Sequence, residues 1–477
     1  DLDLLVTAME GPNAFFRNLG GGVFEEQTEE AGLASDYYGT TQTLADVDGD
    51  GDLDLYLANN KVRPVRDIYP PAVIEFDKVV EQETGEYAVR PEFREHYRIV
   101  RQLGRVMRFE YAEPDKFFLN DGTGRFEEIS FTSGRFLDED GLALSETPRD
   151  WGLTARFHDI DYDGDPDLYV CNDFESPDRL WINDGSGTFR LADRLTLRST
   201  SNATMTMDFS DIDRDGDEDF ILIDMLDRNT RQQKTQVQAM VPEPARLGQI
   251  DNRPQIGRNT LMLNRGDGTF AEIAKHAGVE ASGWSWSVLF FDVDLDGFED
   301  IIIGTGHQYD FLDSDTQDLL QNQRDTSDWR RWRFLFPNLN LPNVAFRNDG
   351  DLTFTEVAQE WGLADERDVA QGAAYGDFDL DGDLDLVFNR LGMPASVYRN
   401  ESVRPRVAVR LKGEAANTHG VGARVRLLGG AVPEQGKEVA AGGLYTSGAD
   451  AQLMFAAGDA DTLTLVVEWR SGKSSVV

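Results

Sequence analysis

Five stretches of this chain carry carboxylates at a spacing that can hold a hard dication. The first is Asp46-Val47-Asp48-Gly49-Asp50-Gly51-Asp52-Leu53-Asp54, and the same nine-residue frame returns at 159–167, 211–219, 292–300 and 377–385. Positions one, three, five and nine are aspartate in every copy: Asp46, Asp48, Asp50 and Asp54; Asp159, Asp161, Asp163 and Asp167; Asp211, Asp213, Asp215 and Asp219; Asp292, Asp294, Asp296 and Asp300; Asp377, Asp379, Asp381 and Asp385. Charges this dense repel unless a cation sits among them, and calcium takes about six to eight oxygens from groups alternating around a turn. Position six is Gly51, Gly164, Gly216, Gly297 or Gly382, which supplies the positive φ of a tight turn. Position seven, which is Asp52, Asp165, Asp217, Phe298 or Asp383, is expected to offer its backbone carbonyl, so its side chain varies. The frame therefore predicts five calcium sites with these residues as ligands. No Cys or His joins a cluster, which argues against zinc and copper.

An EF-hand opens in the same way but needs a bidentate Glu at position twelve and flanking helices. Position twelve here is Leu57, Val170, Leu222, Ile303 or Phe388, and apolar strand-like runs such as Leu55-Tyr56-Leu57 and Ile301-Ile302-Ile303 follow the loops. The loop is a clip between two β-strands. A second signature, Asn-x-Gly-x-Gly-x-Phe or close to it, runs from Asn18 to Phe24, Asn120 to Phe126, Asn183 to Phe189, Asn264 to Phe270 and Asn348 to Phe354. Asn and Gly make a hairpin turn and the Phe starts the next strand. Each unit then reads as four alternating strands; in one of them these are 153–158, 168–171, 179–182 and 188–191. Such units repeated in series predict an all-β, calcium-binding β-propeller. Six blades are visible, with a seventh expected in the full protein, because Asp1-Leu2-Asp3-Leu4-Leu5-Val6 matches Asp52-Leu53-Asp54-Leu55-Tyr56-Leu57 and a clip is expected ahead of it. The last unit has no evident fourth strand after Asn400.

The repeats resemble the FG-GAP/VCBS repeats of integrin-α-type propellers. Three segments of the tail, Asn417-Thr418-His419-Gly420-Val421-Gly422-Ala423-Arg424-Val425, Gly442-Gly443-Leu444-Tyr445-Thr446-Ser447 and Val467-Glu468-Trp469-Arg470-Ser471-Gly472, resemble an ASPIC/UnbV domain. The combination is similar to the cartilage-acidic-protein family. The resemblance implies an extracellular or cell-surface calcium-binding protein. The expected division is a propeller over 1–403 and a small, separate β domain over 404–477 that is dispensable for propeller folding.

Composition agrees with a packed fold in a calcium-rich medium. The net charge is −41, and five calcium ions would leave it near −31. Such a surface disfavours nucleic acid, whose phosphates need Lys and Arg. With 40% hydrophobic and 10% aromatic residues the chain is not a disordered polyanion. Cys171 is the single cysteine, so no disulfide framework exists, and a buried structural thiol is expected. No run of about 20 apolar residues offers a membrane span. The chain reads as a fragment, so the lack of a leader says nothing about compartment.

Catalytic groups do not converge. His307, in Gly304-Thr305-Gly306-His307, is the best candidate for a base; Trp284 and Trp286 read as core, and Trp329 and Trp332 as stacking surfaces. No catalytic and no organic-cofactor residue is assigned. The favoured function is non-catalytic binding, adhesion or surface assembly with a protein or glycan partner, self-assembly included. The alternative is a calcium-using polysaccharide lyase. Three long insertions, about 61–110, 225–258 and 305–342, fall between second and third strands and are expected on the face opposite the clips. They carry net +2 and the rest of the chain −43. Arg94, Arg98, Arg101, Arg105 and Arg108 stand at helical spacing in the first insertion, which predicts a basic helix there.

Overall fold

The computed structural model describes residues 2–9, 11–83, 85–102, 105–173, 176–236, 254–322, 329–414 and 416–477. Its body is a β-propeller whose blades follow the repeats. Blade 2 is the antiparallel set Gly39–Ala45, Asp54–Asn59, Lys116–Asn120 and Phe126–Glu128. Blade 3 is Gly152–His158, Asp167–Asn172, Arg179–Asn183 and Phe189–Leu191, with Phe136–Leu137 added in parallel at its outer edge. Blade 4 is Thr206–Ser210, Asp219–Ile223, Thr260–Asn264 and Phe270–Glu272; blade 5 is Ser285–Phe291, Asp300–Thr305, Val344–Asn348 and Phe354–Glu356. Blade 1 (Leu4–Val6, Ala14–Asn18, Phe24–Glu26) and blade 6 (Ala370–Gly376, Asp385–Arg390, Ser396–Tyr398) have three strands each.

The second strand of a central blade is buried on both faces; every residue of Asp167–Asn172 and of Asp219–Ile223 is buried. These strands are therefore unbroken buried runs, where the sequence predicts alternation in all four strands of a unit. Each blade-to-blade contact is one apolar cluster. Tyr56, Phe117, Trp181 and Phe189 lie between blades 2 and 3, and Ile212, Ile221, Ile301 and Phe354 between blades 4 and 5. First strands of neighbouring blades meet at the axis through side-chain bonds to backbone. Thr41 Oγ1 donates to Leu153 O at 2.9 Å, Thr154 Oγ1 donates to Met205 O at 2.7 Å, and Asp208 Oδ2 accepts from Phe290 N at 2.7 Å.

The first insertion is not a helix. Tyr97–Gln102 and Arg105–Glu110 form an antiparallel hairpin, with Arg98 opposite Phe109 and Arg108 opposite Ile99. Ile99 and Val100 lose rotamer freedom in a helix, and Gly104 between the strands costs about 1 kcal/mol there. The arginine stripe is thereby broken: Arg98 and Arg108 lie on opposite faces, Arg98 at 6.0 Å from the Phe109 ring and Arg108 at 4.5 Å from the Tyr97 ring. Residues 237–253 and 323–328 of the other insertions, and the side chains of Arg101, Arg105, Trp329 and Arg330, lie outside the described residues.

The tail forms a four-stranded sheet (Glu434–Glu438, Arg424–Leu428, Thr464–Glu468, Ser474–Val476) and a pair (Arg406–Val409, Leu453–Ala456) around its own core of Val425, Leu427, Phe455 and Val467. It also enters the ring. Ala441 and Gly442 pair with Leu44 and Thr43 on the first strand of blade 2. Leu444 and Tyr445 then join the apolar clusters of the ring, where Tyr445 stacks on Trp286 at 5.5 Å. Among the described residues no helix is long and apolar enough to cross a membrane.

Candidate metal centre

Each clip joins the first strand of a blade to the second, and every copy is built alike. The position-six glycine has φ between 90° and 98°, and its N–H donates to the position-one carboxylate: Gly51 to Asp46 at 3.2 Å, Gly164 to Asp159 at 3.1 Å, Gly216 to Asp211 at 3.2 Å, Gly297 to Asp292 at 2.8 Å and Gly382 to Asp377 at 3.1 Å. The position-nine aspartate accepts from two directions. In blade 3, Asp167 Oδ2 takes the N–H of Ile160 at 3.1 Å and Oδ1 takes that of Asn183 at 2.8 Å. The pairs at Asp54, Asp219, Asp300 and Asp385 repeat this geometry.

These bonds turn three carboxylates of each clip toward one point. One oxygen from each member of Asp46, Asp48 and Asp50, of Asp159, Asp161 and Asp167, of Asp211, Asp213 and Asp215, of Asp292, Asp294 and Asp300, and of Asp377, Asp379 and Asp385 lies within 4.8 Å of the others. Asp46 Oδ1, Asp159 Oδ1 and Asp211 Oδ1 are buried with no hydrogen-bond partner. An orphaned buried carboxylate oxygen is costly, and a hard cation is the partner that this all-oxygen donor set fits. Burial pushes Asp54 and Asp219 up to about 8 and Asp159, Asp211 and Asp292 up to about 7. Two of the position-seven side chains are engaged elsewhere. Asp165 pairs with Arg470 at 2.6 Å, and the Phe298 ring lies under Arg214 at 5.5 Å.

Two features carried no signal in the sequence. Position four also has positive φ, and outside Gly49 it is Tyr162, Arg214, Leu295 or Leu380, with φ of 58° to 63°. Strain of this kind gathers at ligand sites. The signature Asn does more than turn a hairpin. Asn183 Nδ2 donates to Val47 O at 2.8 Å, Asn348 Nδ2 to Ile212 O at 3.0 Å and Asn400 Nδ2 to Val293 O at 2.9 Å. Each of these bonds ties one blade to the clip of the blade before it, and a count of cross-blade partners is legible only once the blades are placed.

A buried ionic cluster lies where the ring meets the tail, around a cavity of about 50 Å³. Arg156 pairs with Asp208, and His158 sits between Glu218 and the tail's Glu438. Glu299 meets Arg214 and the tail's Lys437. Burial alone would push His158 down, but Glu438 and Glu218 outweigh it and raise it. Burial likewise favours the neutral form of Glu299, yet Arg214 and Lys437 hold it at about 2. Every charge here has an opposite neighbour, as buried charges require. Cys171 is fully buried, and burial pushes its thiol well up. His307 stacks on Trp284 at 4.3 Å, its Nδ1 lies 2.8 Å from Tyr309 O, and burial lowers its pKa.

A family model described as FG-GAP-like repeat matches residues 1–57, 159–222 and 251–303, and one described as ASPIC and UnbV matches residues 413–477. Cartilage acidic protein 1 of Homo sapiens is 36% identical over 73 residues, which are 15% of this chain and 11% of that protein. The mouse (Mus musculus) protein of that name is 34% identical over the same shares of both chains. The chain thus matches about a ninth of these relatives' length. A solved structure whose title concerns recognition of non-reducing terminal N-acetylglucosamine by an Agrocybe aegerita lectin aligns over 84% of this chain and 90% of that one, at 14% identity. The TM-score of this alignment is 0.30. The matched segments lie within blades 1 to 5 and the tail just described: this chain carries FG-GAP-like repeats followed by an ASPIC and UnbV domain.

Proposed function

We propose that this chain is an extracellular, calcium-stabilised propeller that acts as a non-catalytic binding or adhesion module for a protein or glycan partner. The observation that carries the reading is the fivefold convergence of three carboxylate oxygens per clip. In each clip the aspartates at positions one, three, five and nine, with the carbonyl at position seven, would hold one calcium ion. The ion supplies the positive charge that the buried oxygens lack. Five near-identical sites spread around a ring serve stability, whereas a catalytic site would be singular.

The partner surface follows from which face is open. Clips and Asn-Gly turns lie together at one end of the ring: a Cβ on Gly122 would come within 3.3 Å of Asp52 Oδ2, and one on Gly266 within 3.1 Å of Asp217 Oδ2. The tail sits on that end. The insertions leave from the other, and loops gathered on one face of a rigid scaffold carry function. This face is also the less acidic one.

The test is to titrate the calcium-loaded full chain with a panel of anionic and neutral polysaccharides while following ultraviolet absorbance. Saturable binding without unsaturated products is expected. Accumulating unsaturated product would overturn the reading in favour of a lyase.

A further inference from the structure

The five clips share one backbone frame but not one set of partners for their carboxylates. In the clips of blades 2, 3 and 4, Oδ1 of the position-one aspartate (Asp46, Asp159 or Asp211) is buried without a hydrogen-bond partner. In the clips of blades 5 and 6 the same oxygen is satisfied within the loop. Asp292 Oδ1 accepts from Asp296 N and Asp377 Oδ1 from Asp381 N, each at 3.0 Å. In blades 3 and 4 that position-five N–H turns to position three instead. Asp163 N donates to Asp161 Oδ1 and Asp215 N to Asp213 Oδ1, both at 3.3 Å. Position four divides the clips in the same way: it is Leu295 or Leu380 in blades 5 and 6, and Gly49, Tyr162 or Arg214 in the others.

Guanidinium groups make the same division. Arg404 lies 3.4 Å from Asp294, at position three of the blade 5 clip. Arg406 lies 3.0 Å from Asp381, at position five of the blade 6 clip, and 3.5 Å from Asp383. Arg399, which Glu401 also holds, lies 3.7 Å from Asp379, at position three. All three arginines belong to the short run 399–406 that joins ring to tail. Among the described residues, no arginine or lysine pairs with a position one, three, five or nine carboxylate of the other three clips. Arg470 and Arg424 reach the carbonyls of Asp46 and Gly216 there, and the position-seven side chain of Asp165.

We propose that the clips form two classes: three that hold calcium tightly, and two, in blades 5 and 6, that take it more weakly and in competition with the arginines of 399–406. This rests on the calcium reading above and adds its regulation. In the first class an ion relieves a buried oxygen that is costly to leave bare. In the second it displaces a loop hydrogen bond and enters beside a guanidinium of like charge. Each effect is small, and together they weaken binding by about 10- to 100-fold. The competition is reciprocal: calcium entering these two clips loosens 399–406 from the ring, and a run held in place weakens calcium there by the same factor. Calcium far above both Kd values fills all five clips. Between the two Kd values the ring stays loaded at three clips while its joint to the tail responds to the ion.

Calcium withdrawn stepwise from the loaded full chain with chelators of graded affinity, the bound metal being counted by atomic absorption, tests this. Two ions should leave at about 10- to 100-fold higher free calcium than the other three. Hydrogen exchange over 399–406 should slow across that first step, as the arginines return to the clips. Arg404→Gln together with Arg406→Gln should tighten the two weak sites by about two- to fivefold. Asp379→Ala should remove one ion from the first step, and Asp161→Ala one from the second. Five ions leaving as one class, exchange over 399–406 that does not slow across the first step, or weak sites indifferent to the arginine replacements overturns the proposal and leaves the calcium reading standing. A full chain that holds no calcium overturns both.

Discussion

Removing calcium should lower the melting temperature by an amount that the five clips set. An ion bound only by the folded state adds RT ln(1 + [L]/Kd), about 2.7 kcal/mol at a hundredfold excess over Kd. Five independent sites then contribute about 14 kcal/mol. Unfolding entropy near about 2.1 cal/mol/K per residue, over 477 residues, gives about 1 kcal/mol/K for a single cooperative transition. The expected fall on chelation is therefore about 14 °C, and Asp161→Ala, which disables one clip, should cost about a fifth of it. The pH dependence sharpens the test. Burial raises Asp54 and Asp219 from 3.8 to about 8 in the folded state. The folded chelated protein thus binds protons more tightly than the unfolded chain, and its stability should rise as pH falls from about 8 towards 5. With calcium bound the same carboxylates must be ionised, so acid should instead lower the melting temperature. His158, raised above its usual range, adds stability at low pH in both states, so the difference between the two curves reports the clips. Calorimetry in calcium and in chelator, across that range, gives both slopes. A melting temperature unchanged by chelator, or parallel slopes in the two conditions, would refute the reasoning.

Three further outcomes follow from single features. Asn348→Ala removes bonds to Ile212 O and leaves that carbonyl buried, and should cost about 1–3 kcal/mol in denaturant unfolding; a change below about 0.5 kcal/mol would show that the cross-blade bond is incidental. Leu380→Gly relieves a left-handed conformation at an 84% exposed side chain. It should stabilise the protein by about 0.5–1 kcal/mol, the relief of about 1–2 kcal/mol exceeding glycine's entropic cost; a lower melting temperature would contradict this. Truncation after Ser402 removes Tyr445 from its stack on Trp286, so the tryptophan emission should shift to the red and the remaining ring should melt at lower temperature. An unshifted spectrum would show that the tail's insertion contributes nothing to the ring.

The clips were legible as loops because their turn and their converging carboxylates fix residue type and spacing within nine consecutive positions. The blades were legible because the clip and the Asn-Gly turn bracket two of the three connections in each unit. What stayed hidden is what sequence neighbours do not determine. The bond from Asn183 to Val47 joins residues 136 apart, and no local pattern announces it. Helical spacing of five arginines predicted a helix where the β-branched pair Ile99-Val100 and a central Gly specify a hairpin, so the periodicity of one residue type lost to the conformational preference of its neighbours. The ionic cluster was hidden for the same reason as Asn183: His158, Glu218, Glu299 and Glu438 each follow or precede an unremarkable strand residue, and only blade assembly brings them together.

Charge explains why the tail rests on the clip end of the ring. Residues 404–477 hold nine basic and seven acidic side chains, a net of +2, against −43 for the rest of the chain. Four of the tail's cations reach the clips. Arg404 lies 3.4 Å from Asp294, Arg406 lies 3.0 Å from Asp381, and Arg470 reaches Asp46 O at 3.0 Å as well as Asp165. Arg424 bonds to Gly216 O, so the guanidinium groups touch the clip of every blade from 2 to 6. Calcium ions alone would offset only part of the 26 carboxylates in the five frames. The arginines reach carboxylates and carbonyls at the rims of the loops, while in three of the clips a buried oxygen of position one has no hydrogen-bond partner. A segment that reads as an appendage in sequence, with no clip of its own, thus takes part in neutralising the clips and would share that with a metal they hold, and its Lys437 and Glu438 complete the ionic cluster beneath it.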